Sequence, residues 1–311
     1  MYSFLKHIKM NLMKTLVTLS TLIIGSLMLL AVFSPALALT NPIIMPGMEA
    51  LSSNGGARYS TNWGGYAVGG SEGSVTSVSG SWIVPAVRGA IGTTPNVAAF
   101  WTGIDGFNSP TVEQIGTISA SELSFVQEGR FVFPVISYAY FAWYEFYPSQ
   151  PAIIPITTAT SPSGAPATVN PGDTISANVK YNGGSSFTIT LTDVTAGWTF
   201  SYTGSAPGAE ESSAEWIAEA PSSNTGILPL ANFGIAKYGE DFTTVASTCY
   251  ATVNGLSESI ADSPNVQSIT MATLFGIKLF HSTIVIPIPK ATPSALSPDG
   301  TSFLIVWNSY G

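Results

Sequence analysis

The chain has 311 residues, of which only 9% are charged and 11% aromatic, with ten basic against 18 acidic side chains. Soluble domains usually carry about 25% charged residues, but the wealth of Val, Ile, Thr, Tyr, Phe and Trp excludes a disordered chain and suits half-buried pleated surfaces. The acidic balance speaks against nucleic acid, which needs Lys and Arg clusters. The single cysteine and two histidines rule out an intramolecular disulfide and a zinc site built on several such ligands, so no metal or cofactor is expected.

The first 38 residues read as a signal peptide. Lys6, Lys9 and Lys14 give a basic start, "LVTLSTLIIGSLMLLAVFS" (16–34) an apolar run, and "ALA" (36–38) a small-residue cleavage site. The run is long enough to span a bilayer, so a retained anchor over residues 10–34 is the alternative, and the one expected route to a membrane. Its loss removes three lysines and no acids, leaving seven basic against 18 acidic side chains. The protein is read as exported, a monomer.

Residues 39–57, "LTNPIIMPGMEALSSNGGA", show Pro, Gly and Ser without periodicity and read as a linker or short pro-segment. From 58 to 311 the pattern is strand and turn, consistent with one large all-β domain. "RYSTNWGGYAVGG" (58–70) opens it, and "SVTSVSGSWIVP" (74–85) alternates and stops at proline. "SQPAIIPITTATSPSGAPATVNPGD" (149–173) reads as a surface excursion, and "FTITLTDVTAGWTFSYTG" (187–204) as a hairpin about "DVTAG". "TCYATVNGL" (248–256) is a strand before an Asn-Gly turn, with Cys249 expected in the core, and "SFLIVWNS" (302–309) closes the chain. No amphipathic helix of three turns or more is evident, and short strands between Gly and Pro turns imply a sandwich or barrel.

Five stretches hold residues that a β-core does not need: "TNWGGY" (61–66), "FWTGIDG" (100–106), "VEQIGT" (112–117), "YFAWYEFYP" (140–148) and "SAEWIAEAP" (213–221). If the last is extended, Glu215, Ile217 and Glu219 share one face and Trp216 and Ala218 the other; a helix with the two glutamates four apart is the alternative. By the same rule Glu145 shares a face with Trp143 and Tyr147, as on the wall of an aromatic-lined groove. Asp105, before Gly106, fits an Asx-type turn, and Gln114 alone fits a strand surface. The residues by themselves leave a groove with acid–base carboxylates and an ordinary solvated sheet both open. His281, the only histidine past the leader, would have to serve any Ser-His or Cys-His enzyme.

Taken in order, "NWGG", "WTGIDG", "QIG", "AWYEFYP" and "AEWIAE" resemble the recurring motifs of the glutamic peptidases, or eqolisins, over residues 62–219. The resemblance implies a concanavalin A or lectin-like sandwich of two antiparallel sheets, with a groove across one of them. It implies an acid endopeptidase acting on polypeptides through a Gln and Glu dyad, which falls on Gln114 and Glu219. Groove residues fall on Trp63, Trp101, Asp105, Glu145 and Tyr147, with Glu215 in support. Two features depart from the family pattern: Ile118 stands where many members carry an acid, and the stretch 119–140 is longer or rearranged.

Such a dyad makes chemical sense. Amide hydrolysis needs a base for water, a donor for the oxyanion and an acid for the leaving nitrogen. A glutamate, ordinarily ionising near pH ~4.3, can serve first as base and then as acid, and a glutamine NH₂ donates at any pH. Two other readings share the fold: a glycoside hydrolase using Glu145 and Glu219 as paired carboxylates, and a non-catalytic carbohydrate-binding module.

Overall fold

The computed structural model describes residues 41–51, 58–150, 152–160, 164, 166–279 and 282–311. The leader and His281 lie outside the described residues. Among the described residues there are fifteen strands of four or more residues. In chain order they are β1 (Trp63–Gly69), β2 (Val75–Ile83), β3 (Asn96–Ile104), β4 (Val112–Glu128), β5 (Phe131–Tyr147), β6 (Thr174–Gly183), β7 (Ser186–Asp193) and β8 (Trp198–Ser205). Then follow β9 (Ser213–Glu219), β10 (Ile235–Tyr238), β11 (Tyr250–Val253), β12 (Leu256–Ser259), β13 (Gln267–Leu279), β14 (Ser282–Pro293) and β15 (Phe303–Trp307). Among the described residues the one α-helix is a single turn, Glu240–Thr243.

The pairings resolve into two antiparallel layers. The front sheet runs β5–β4–β3–β9–β1–β13. The back sheet runs β8–β7–β6–β2, and the far side of β2 pairs first with β11 and then with β10, which continues to β15. The β13–β14 hairpin joins the layers, because β13 pairs with β1 and the end of β14 with β15.

Alternation fills the space between the sheets. Phe100, Ile115, Ala214, Trp216 and Ala218 of the front sheet meet Trp82, Ile175, Val179, Phe187 and Phe303 of the back in one buried cluster. Buried polar tips find partners across the gap: Tyr238 Oη donates to the Ile217 carbonyl at 2.6 Å, Trp82 Nε1 to Thr117 Oγ1 at 2.9 Å, and Trp216 Nε1 to the Ser79 carbonyl at 2.7 Å. Cys249 is buried just ahead of β11, as expected. On the outward face of the β7–β8 hairpin, which covers "FTITLTDVTAGWTFSYTG", hydroxyls pair across the strands: Thr188 with Thr203, Thr190 with Ser201 and Thr192 with Thr199.

The stretch 119–140 is the outer part of two continuous 17-residue strands that turn at Gly129 and Arg130. Near the sheet Ser119, Ala120 and Ser121 of β4 are buried, whereas Ala139 and Tyr140 of β5 are half-buried. Toward the tip Phe125, Phe131, Val132 and Phe133 are exposed.

Candidate active site

Odd and even positions of the front sheet part cleanly, and the outer face carries the site. Trp63, Ala67, Ala99, Trp101, Val112, Ile118, Trp143 and Ile217 form a second buried cluster there, separate from the inter-sheet core. The segment 213–219 is extended, so the helical alternative for its two glutamates falls. Glu219 pairs in register with Trp63 on β1 and Ala99 on β3, and Gln114 with Gly103 on β3 and Glu145 on β5. Trp101 sits between these rows, opposite Ile217 and Gly116. Gly116 cannot be replaced there, since a Cβ would collide with the Phe100 carbonyl and the Trp101 side chain.

Glu219 is fully buried and held from two sides. Its Oε2 accepts from Trp101 Nε1 at 2.9 Å and its Oε1 from Asn62 Nδ2 at 3.3 Å. Burial holds its carboxyl well above the usual range; the Trp101 N–H favours the charged form, and the nearby Glu145 opposes it. Gln114 presents its NH₂ to two oxygens, Glu145 Oε2 at 3.1 Å and the main-chain carbonyl of Met45 at 2.8 Å. Glu145 Oε2 also accepts from the Met45 N–H at 3.1 Å. Burial raises the Glu145 carboxyl to about 8, against the pull of those two donors. Gln114 Oε1, Glu145 Oε1 and Trp143 Nε1 are buried without a protein partner, and the Trp63 N–H lies close enough to Glu219 to favour its charged form. Trp63 and Trp101 meet edge to face at 4.9 Å, and half-buried Tyr147 packs at the margin of the cluster.

A second acidic group gathers toward one end of the same strands, with Glu113 and Glu215 inside β4 and β9 and Asp105 just after β3. Asp105, with φ at 71°, accepts from the N–H groups of Glu210, Glu211 and Ser212 and from the Ser212 and Thr111 hydroxyls. Both of its oxygens are thus spent on fixing the 210–212 loop. Glu113 and Glu215 are fully buried, and none of their carboxylate oxygens has a partner. Burial, reinforced by Asp105 and Glu113 against the pull of the Ser213 hydroxyl, holds Glu215 well above the carboxylate range; burial and the charges of Asp105 and Glu211 do the same for Glu113.

The structure therefore brings Gln114, Glu145, Glu219, Trp63 and Trp101 together, and sets Asp105 in the neighbouring acidic group, with Glu215 at the junction of the two, in the row of Gly103, Gln114 and Glu145. It adds Asn62 and Trp143, which lie inside the quoted motifs, and Met45, for which the sequence has no motif. Ile118 is buried in the row of Ala99 and Glu219, so that row carries one carboxylate and an apolar neighbour.

An antiparallel sandwich whose outer sheet face gathers an amide, carboxylates and indole N–H groups carries the groups that acid–base hydrolysis uses. Residues 61–274 match the Peptidase A4 family. The chain belongs to that family, the glutamic peptidases or eqolisins, and is accordingly an endopeptidase that hydrolyses polypeptides. It is 28% identical to Aspergillopepsin-2 of Aspergillus niger over 245 residues, 71% of this chain and 77% of that protein. Among solved structures it resembles Scytalido-glutamic peptidase with a peptide based transition state analog, with a TM-score of 0.54 and 23% identity over 80% of this chain and 98% of that one. The eqolisin SCP-B in complex with the tripeptide Ala-Ile-His is similar at a TM-score of 0.51 and 22% identity, again over 80% and 98%. These last likenesses place the fold: a two-sheet β-sandwich. The glycosidase and binding-module alternatives give way to peptide hydrolysis.

Proposed function

We propose that Glu219 is the general base and acid of this peptidase and that Gln114 stabilises the oxyanion. The observation that carries the reading is the Gln114 NH₂ donating to a peptide carbonyl, that of Met45, at 2.8 Å on the face where Glu219 is held. In the proposed reaction the Glu219 carboxylate takes a proton from water as its oxygen adds to the substrate carbonyl carbon. Gln114 donates to the developing oxyanion. Glu219 then gives the proton to the nitrogen as the C–N bond breaks, releasing an acid and an amine.

The neighbouring carboxyl sets the pH range. With its carboxyl raised to about 8, Glu145 stays protonated through the acid range. It then adds no charge against ionisation of Glu219, whose Trp101 and Asn62 donors favour the carboxylate. As pH rises toward 8 Glu145 ionises and the two repel, which sets the upper limit of activity, while the burial that raises the Glu219 carboxyl sets the lower one. Export into an acidic medium, with loss of the leader, fits both this division and the scarcity of charge on the chain.

The test is proteolysis of a denatured protein by the exported chain, followed from acid to neutrality until the rate is maximal. Glu219→Gln and Gln114→Ala are run alongside, with folding checked by circular dichroism. Acid activity lost in both variants supports the dyad; either variant keeping the parent rate removes that residue from the chemistry.

A further inference from the structure

Residues 41–51 do not hang free of the domain; they lie along the outer face of the front sheet. Met45 is completely buried and Ile43 nearly so, both within the cluster of Trp63, Trp101 and Trp143. From Ile43 to Glu49 the main chain is bonded almost continuously. The Ile43 carbonyl accepts from Ile153 N, and Ile44 exchanges both bonds with Ser222 at 2.9 Å. Met45 gives its N–H to Glu145 and its carbonyl to Gln114. The Gly47 carbonyl accepts from Asn62 Nδ2, the same NH₂ that holds Glu219, at 3.2 Å. Met48 N–H donates to the Gly106 carbonyl, Glu49 N–H to Asn62 Oδ1, and the Glu49 carbonyl accepts from Thr61 N. Gly47 passes so close that a Cβ would stand 3.0 Å from the Gly106 carbonyl.

This is how a cleft holds a polypeptide: main-chain bonds for affinity, one buried side chain for selectivity. We infer that residues 41–51 are a tethered pseudosubstrate, which closes the cleft until it is displaced or removed and whose Met45 reports the preference of the main pocket. The inference rests on the Gln114–Glu219 reading and deepens it. The pocket takes an unbranched apolar side chain, and the residue bearing it places its carbonyl on Gln114. Of the other side chains Ile43 is nearly buried, Met48 packs against the same cluster and Glu49 accepts from the Thr61 hydroxyl at 2.8 Å, while the remaining bonds are to main chain. Past Ile43 the groove continues as a cleft of about 290 Å³ lined by Asn41, Thr94, Glu122, Ser223 and Leu228, with room for further substrate residues.

As a covalently attached ligand, the segment acts at a high effective concentration, which a cut abolishes. The test uses the exported chain with a recognition sequence for a site-specific protease placed between Leu51 and Arg58, folded intact and cut afterwards. After cutting and dilution, turnover of a small apolar peptide in acid is expected to rise about a hundredfold. Synthetic peptide 41–51, added back, should inhibit competitively, and the same peptide with Met45→Asp should bind about tenfold more weakly or worse. In the uncut chain Met45→Ala should raise the basal rate about tenfold, since losing a buried Met side chain costs enough for that. The Glu219→Gln chain, cut in the same way, separates binding from chemistry: peptide 41–51 should still change its tryptophan fluorescence. Equal rates before and after cutting, or no competition by peptide 41–51, would overturn the pseudosubstrate. A cut chain that binds peptide 41–51 but cleaves nothing would instead keep the pseudosubstrate and remove the Gln114–Glu219 chemistry.

Discussion

The two acidic groups on the front sheet stand a few residues apart on the same strands, yet they do different work. Asp105 receives five hydrogen bonds, all from its own neighbourhood and a single loop. Glu219 receives two, from an indole and an amide that line the cleft, and Glu145 and Gln114 each keep an oxygen without a protein partner. A carboxylate whose lone pairs are filled by loop N–H groups is part of the scaffold. One left with spare capacity beside a bound peptide is available for chemistry. Glu113 and Glu215 belong to neither kind, since they are buried with no partner at all, and their cost should appear as pH rises.

Substitutions should widen this contrast in order of effect. Glu219→Gln should lower kcat by about 10²–10⁴, the usual contribution of a general acid–base group, while leaving thermal stability equal or higher because a buried carboxyl is gone. A variant with the parent kcat would place the chemistry elsewhere. Gln114→Ala should cost about 10²–10³ in kcat with KM little changed, as for one oxyanion donor; a change confined to KM would recast Gln114 as a binding residue. Asp105→Ala should act through stability instead, lowering it by about 3 kcal/mol because the 210–212 N–H groups lose their shared acceptor. Denaturant unfolding would check this, and an unchanged midpoint would mean that the loop holds itself.

The smallest effect expected is on the pH dependence of stability. The folded carboxyls of Glu113 and Glu215 are raised well above 4.5. Their contribution is therefore fully present below about pH 4.5 and is lost as pH rises from there through the folded values. Glu113→Gln or Glu215→Gln should flatten that decline above pH ~4.5 without altering stability in strong acid by more than about 1 kcal/mol. Melting temperatures measured from acid to neutrality would show it; an undiminished decline in both variants would assign it to Glu145 and Glu219.

Much of this arrangement was legible in the residues. Alternation around Trp216 put Glu219 and Ile217 on one face, and the same rule set Glu145 with Trp143. Turn chemistry located the β7–β8 hairpin and the Asn-Gly turn after β11, and the five ordered motifs led to the family. The role of 41–51 was not legible, because a segment held through its main chain needs no periodicity and leaves no pattern in its side chains. Asn62 stood inside a quoted motif, but its bridging of Glu219 and Gly47 depends on a strand and a docked segment meeting in space. The positive φ at Asp105 agreed with a turn, whereas its five donors arrive largely from a loop about a hundred residues further on.

The hydroxyl pairs on the β7–β8 hairpin carry a last consequence. A protein that meets strong acid with an outer layer of ion pairs loses half of each pair as its carboxylates take up protons. Thr188 with Thr203, Thr190 with Ser201 and Thr192 with Thr199 have nothing to titrate. That part of the coat is therefore knitted the same way in acid as at neutrality, and in brine as in dilute buffer, because it is held by bonds that neither protons nor salt ions can exchange away.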